Sequence, residues 1–132
     1  MGDRHTVVHV EMPAKDGNRA RKFYTSLLGW KFKDAGVPNM DYHMTEGADP
    51  VVAVWTQPDS QGPIIYFDTP DIDAAIKKTR ELGGTANDKM PVPAQGWFAA
   101  CTDTEGNKFS LWQADPSAPM YEPQEQEATA RS

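Results

Sequence analysis

His9 and Glu11 stand two residues apart in Thr6-Val7-Val8-His9-Val10-Glu11-Met12, a β-branched run that reads as a strand. On a strand, residues i and i+2 share a face about 7 Å apart. Val7, His9 and Glu11 therefore form one side and Val8, Val10 and Met12 the other. An imidazole titrates near neutral pH, and a nearby carboxylate holds its tautomer and raises its pKa. Such a pair suits a general base acting on an acidic C–H or O–H, or a polar anchor for a ligand. Its bland alternative is a hydrogen-bonded polar pair with no chemistry. With His43 as a third group the pair would make a metal site, but no ligand spacing favours that. A second stretch of interest spans residues 99–113. There Ser110 and Trp112 alternate with Phe109 and Leu111, so one face is apolar and the other mixed. The mixed face suits the wall of a small-molecule cavity, or an edge hairpin with a surface Trp.

Strands must hold these residues, and helices must back the strands. Pro13 closes the first strand, because it cannot donate to a ladder. Asp16 or Asn18 can cap a helix. Ala20, Phe23, Tyr24, Leu27 and Leu28 follow at i, i+3, i+4, i+7 and i+8, which predicts its buried stripe. Gly29 sits where a helix-terminating glycine belongs. Strands are expected over residues 30–33, 42–45 and 51–56. A linker at 58–63 precedes a second strand–helix series. This has a strand at 64–67 and a helix capped by Asp71, with Ile72, Ala75, Ile76, Thr79 and Leu82 as its stripe. Gly83-Gly84 stops that helix. A strand at 85–90, a loop at 91–93 and strands at 95–101 and 108–113 follow, the last two joined by a turn around Gly106. The second half thus repeats the first at an offset of about 55 residues, from Leu28-Gly29 to Leu82-Gly83.

The 132 residues suit one domain, and 39% hydrophobic content with four Trp suffices for a core. A net charge of −6 argues against nucleic acid or an anionic membrane surface as partner. No apolar run is long enough to span a bilayer. Met1-Gly2-Asp3-Arg4-His5 carries no apolar stretch of the signal-peptide kind, so the expectation is a cytoplasmic protein. Cys101 is the single cysteine and has no neighbouring His or Lys in sequence, so it reads as a small buried residue rather than a nucleophile. Pro116, Pro119 and Pro123 mix with Glu122, Glu125 and Glu127, and residues 116–132 are expected to form a disordered acidic tail, from which Met120 and Tyr121 could still dock on a neighbour.

The doubled βαβββ pattern resembles the vicinal oxygen chelate superfamily, whose members include glyoxalases, extradiol dioxygenases and bleomycin resistance proteins. The residues that carry the resemblance are Phe23-Tyr24, Leu28-Gly29-Trp30, Asp71-Ile72-Asp73-Ala74-Ala75, Leu82-Gly83-Gly84, Asp103-Thr104-Glu105-Gly106-Asn107 and Leu111-Trp112-Gln113. The resemblance implies an α+β fold. Two βαβββ modules, residues 5–57 and 62–114 of a single domain at 1–115, would form a curled mixed sheet of the glyoxalase/bleomycin resistance type. It implies a cup with helices outside and ligand inside. Val7, His9, Glu11, Ile64, Tyr66, Ser110 and Trp112 would face inward, Val8, Val10, Phe109 and Leu111 outward. Trp55, Tyr66, Trp97 and Trp112 would supply aromatic walls for a planar ligand, with Val7, His43, Cys101 and Ser110 completing the lining.

The family's metal positions fall near Val7, Ala53, Ile64 and Ser110, none of which is a competent ligand. The expectation is therefore a protein with no metal or other cofactor that binds a small, planar or aromatic molecule. The rival expectations are a metal-independent isomerase, cyclase or lyase using His9 and Glu11 as acid and base, and a divalent-metal glyoxalase or dioxygenase. A homodimer is expected, since exposed strand edges favour association.

Overall fold

The structure is a computed structural model and describes residues 5–57, 59 and 62–119. These divide into two compact units, residues 6–67 and residues 68–119 with His5.

The first unit contains β1 (Val7–Ala14), α1 (Gly17–Leu28), β2 (Phe32–Asp34), β3 (Tyr42–Thr45), β4 (Val51–Thr56) and β5 (Ile64–Asp68), whose last residue opens the second unit. Its strands lie in the order β2-β3-β4-β1-β5. β1 runs parallel to β4 and antiparallel to β5, so the sheet is mixed. β4 is flanked on both edges, and its Val52, Ala53 and Val54 are buried. The Asp16 carboxylate accepts from Arg19 N at the start of α1, and Gly29 ends the helix at φ 73°, a conformation that side chains disfavour.

α1 does not bury the stripe its periodicity predicts. Phe23 and Leu27 are 58% and 63% exposed, and Leu28 is exposed as well. Gly17 is the buried residue of the helix, so close to β4 that a Cβ there would collide with the Thr56 hydroxyl. One turn on, Arg21 donates to the Asp41 carboxylate at 3.3 Å. These two contacts turn the Gly17–Arg21–Tyr24 line toward the strands and rotate Phe23 and Leu27 outward.

The second unit contains α2 (Ile72–Glu81), β6 (Thr85–Ala86), β7 (Met90–Val92), β8 (Gly96–Thr102) and β9 (Lys108–Ala114). β8 pairs antiparallel with β9 on one edge and with β6 and β7 on the other. Asp71 caps α2 as expected, and the Gln113 side chain accepts from Ile72 N at 2.8 Å, so β9 itself supplies a second helix cap. Ile72 and Ile76 pack on Ala99, Cys101 and Leu111, with Trp97 and Phe109 at the margin. The single strand expected over 85–90 is two short strands, and Pro91, expected in a loop, lies in β7. Proline is tolerated there because β7 is an edge strand paired only with β8. Asp103 closes the β8–β9 turn by accepting from Glu105 N, Asn107 N and Asn107 Nδ2. After β9, Asp115 N donates to Gln95 O and Ala94 N to Ala118 O, and Ala118 is buried. Met120, Tyr121 and the remainder of the expected tail lie outside the described residues.

Candidate functional site

The first unit brings its chemistry together on one face of β1. Strand alternation puts His9 and Glu11 on that face. Val7, expected beside them, does not follow: the register shifts between Val7 and His9 and pairs Val7 with Phe67, which alternates to the other side from Tyr66. Registers of the neighbouring strands add Val51, Ala53 and Trp55 from β4, Tyr42 and Met44 from β3, and Ile64 and Tyr66 from β5. Glu11 is only 8% exposed. Its Oε2 accepts two phenolic hydroxyls, Tyr42 at 2.6 Å and Tyr66 at 3.0 Å. His9 Nε2 lies 2.9 Å from the Tyr42 oxygen. Tyr42 has one proton and gives it to the carboxylate, so the hydrogen bond to His9 is made by Nε2–H donating to the phenol oxygen. His9 Nδ1 and Glu11 Oε1 make no hydrogen bond among the described residues. The ring of Tyr66 meets His9 edge-on, with centroids 5.0 Å apart, and Tyr42 lies against Trp55 at 6.3 Å.

Burial sets the protonation of this cluster. It raises the Glu11 carboxyl above its ordinary 4.5, against the opposing pull of the two phenol hydrogen bonds. It lowers His9 below 6.5, which keeps the imidazole neutral. The Tyr42 hydroxyl is pushed up by burial and by the Glu11 charge, so it serves as a donor and not as a phenolate.

The other residues singled out from the sequence are placed as follows. His43 is on the opposite face of β3 from Tyr42, where its Nε2 lies 3.0 Å from Asp41 Oδ1 beside α1. Asp41 also accepts from Arg21 and from the Thr56 hydroxyl. His43 therefore does not join His9 and Glu11, because adjacent strand residues point to opposite sides. In the second unit, Trp97 and Cys101 lie on the α2 side of β8, in and beside the apolar core, rather than on a ligand wall. Trp97 Nε1 donates to Asp115, and Lys89 Nζ sits 4.5 Å above its ring. The Cys101 thiol is pushed up to about 11 by burial. Ser110 and Trp112 take the opposite face, with Trp112 paired to Phe98. Sequence reasoning missed Tyr42. The signal for Tyr42 was its register: it is the β3 residue opposite Trp55.

Among the described residues no three His, Cys, Asp or Glu side chains converge as metal ligands. The β1 face offers one imidazole and one carboxylate already tied through a phenol. Val7, Ala53 and Ile64 contribute no donor atom, so this set does not fit a resident divalent ion. No described helix is long and apolar enough to cross a membrane.

Comparison with known proteins places the chain. The family model described as Glyoxalase/Bleomycin resistance protein/Dioxygenase superfamily matches residues 6–111. Proteins named "Putative glyoxylase CFP32" from Mycobacterium bovis and Mycobacterium tuberculosis are 33% identical over a 118-residue alignment that covers 80% of this chain and 44% of theirs. The chain thus spans less than half the length of these relatives. Among solved structures, methylmalonyl-CoA epimerase from Mycobacterium tuberculosis aligns with a TM-score of 0.67 at 16% identity, covering 83% of this chain and 88% of that one. A superfamily member from Vibrio splendidus aligns at 0.66 and 18% identity, covering 83% and 99%. At these identities the likeness establishes the fold, and it is the α+β fold of glyoxalase/bleomycin resistance type that the doubled βαβββ pattern implies.

Proposed function

We propose, for a chain that belongs to the glyoxalase/bleomycin resistance protein/dioxygenase superfamily, that it holds a small organic molecule against the β1 face and moves a proton on it, with Glu11 as the base. The observation that carries this reading is the carboxylate itself: Glu11 is buried, unpaired with any cation among the described residues, and held on one oxygen by Tyr42 and Tyr66. A carboxyl raised by burial works closer to neutral pH, where a general base is most effective. The clamp on Oε2 leaves Oε1 to take the proton, and two phenols steady whichever protonation state results. His9, neutral and oriented by Tyr42, presents Nδ1 as an acceptor for a polar group of the ligand. Trp55 gives the ligand apolar surface.

A binding protein without turnover would use the same contacts. What turns the reading toward proton transfer is that burial raises the carboxyl while the two phenols hold one oxygen, which poises the other to exchange a proton. The test is hydrogen–deuterium exchange on flat, neutral carbon acids, 2-tetralone and 1-indanone, followed by mass spectrometry in D2O. Exchange should exceed the buffer rate by about 10²-fold or more with the native protein and fall to the buffer rate in Glu11→Gln. Equal rates for the two proteins refute the assignment.

A further inference from the structure

We infer that the molecule meeting Glu11 is uncharged or cationic at that point, and that carboxylate- and phosphate-bearing molecules are turned away from this face. The inference rests on the reading above, since it concerns the same carboxylate. Strands β1, β3, β4 and β5 contain no Lys or Arg at any position. Lys33 is the one cationic residue whose register puts it on this side of the first unit's strands, and it is exposed on the edge strand β2, three strands from β1. On α1, the Arg21 guanidinium is committed to Asp41 on the helix side.

Proteins ordinarily bury a carboxylate beside a cation. Here both partners of Glu11 are neutral phenols, so its hydrogen bonds are satisfied while its charge is not neutralised. The low local dielectric makes that charge felt at ligand distance. A second anion would meet it with no counter-charge from these strands. A neutral N–H, O–H or C–H donor, or a cation, would supply what Oε1 lacks. Tyr42 on the carboxylate and Trp55 next to Tyr42 add attraction for a cation.

Three probes of one shape test this: benzoate, benzamide and benzamidinium, titrated at pH 8 into the full chain while the aromatic NMR signals of Tyr42 and Tyr66 are followed. Benzamide and benzamidinium should shift both signals saturably, with benzoate at least tenfold weaker. In Glu11→Gln the three affinities should converge to within about threefold. Benzoate binding as tightly as benzamide in the native protein overturns the inference, as does the absence of any shift with all three at 20 mM. If Glu11→Gln does not fold, the native ranking alone decides. Deuterium exchange at the buffer rate in the native protein, with the ranking intact, would remove the proton-transfer reading and leave the charge preference standing.

Discussion

Replacing Glu11 with Gln should stabilise this protein at alkaline pH. The side chain is 8% exposed, and its two hydrogen bonds come from Tyr42 and Tyr66. Gln keeps an acceptor oxygen for both phenols. What it loses is the extra strength of a charged acceptor, about 1 kcal/mol for each of the two bonds. What it relieves is the burial of an unneutralised charge, several kcal/mol. The balance favours the amide by about 1–2 kcal/mol, a rise of roughly 3–8 °C in Tm for a chain of this size. The sign agrees with the titration. Burial raises the folded carboxyl above 4.5, so the stability it contributes is present below the unfolded pKa and is lost as pH rises through the folded value. Thermal melts followed by circular dichroism, at intervals from pH 4 to pH 8.5, should show the variant's advantage largest at the alkaline end. It should shrink below pH 4.5, where the native carboxyl is protonated folded and unfolded alike. His9 titrates in both proteins and largely cancels in the difference. A variant less stable than the native protein at pH 8, with the deficit growing as pH rises, would mean that folding stabilises the charge and that burial does not dominate this carboxyl.

Tyr42→Phe removes one donor from Glu11 and the acceptor of His9 Nε2–H together. It should destabilise the fold by about 1–3 kcal/mol in chemical denaturation and slow deuterium exchange at least tenfold, and an unchanged exchange rate would take Tyr42 out of the site. Ile72→Ala should destabilise by about 2–5 kcal/mol in the same denaturation assay, because Ile72 is fully buried against Ala99, Cys101 and Leu111. A loss below 1 kcal/mol would show that α2 closes over the gap.

Helix ends, turn residues and the halves' repetition were legible because they depend on local chemistry. Asp16, Asp71, Gly29 and Gly106 all do what their residue types dictate. Strand alternation likewise put Phe109 and Leu111 under α2, as expected. The readings that needed correction depend on how elements meet. Phe23 and Leu27 fit a helical stripe, but a close contact at Gly17 and a polar pair at Arg21 decide which side of α1 faces the strands. Trp97 and Cys101 are apolar residues whose face is set by the β8–β9 register, and that register puts them with Ala99 under α2. Tyr42 and His43 are equally plausible site residues in a sequence. Only the pairing of Tyr42 with Trp55 sends the phenol to Glu11 and the imidazole to Asp41.

The repeat also accounts for the make-up of the site. Glu11 and Tyr66 are 55 residues apart, the same interval as that between the helix caps Asp16 and Asp71, so they occupy corresponding positions in the two repeats. His9 corresponds in the same way to Ile64. β1 and β5 run antiparallel with His9 opposite Tyr66 and Glu11 opposite Ile64, which makes Glu11 and Tyr66 diagonal neighbours on one face. Two identical halves would set carboxylate against carboxylate across this diagonal, and one of them would have to take up a proton. With tyrosine in the second half, the diagonal becomes a donor and an acceptor at 3.0 Å, and only one carboxylate remains to accept a proton. The asymmetry of the two strands is thus what lets a single buried carboxylate persist on the first unit's face. Restoring symmetry with Tyr66→Glu should force the two carboxyls to share a proton, visible as two widely separated titrations in carbon-detected NMR. A single unshifted titration would show that the two positions do not meet.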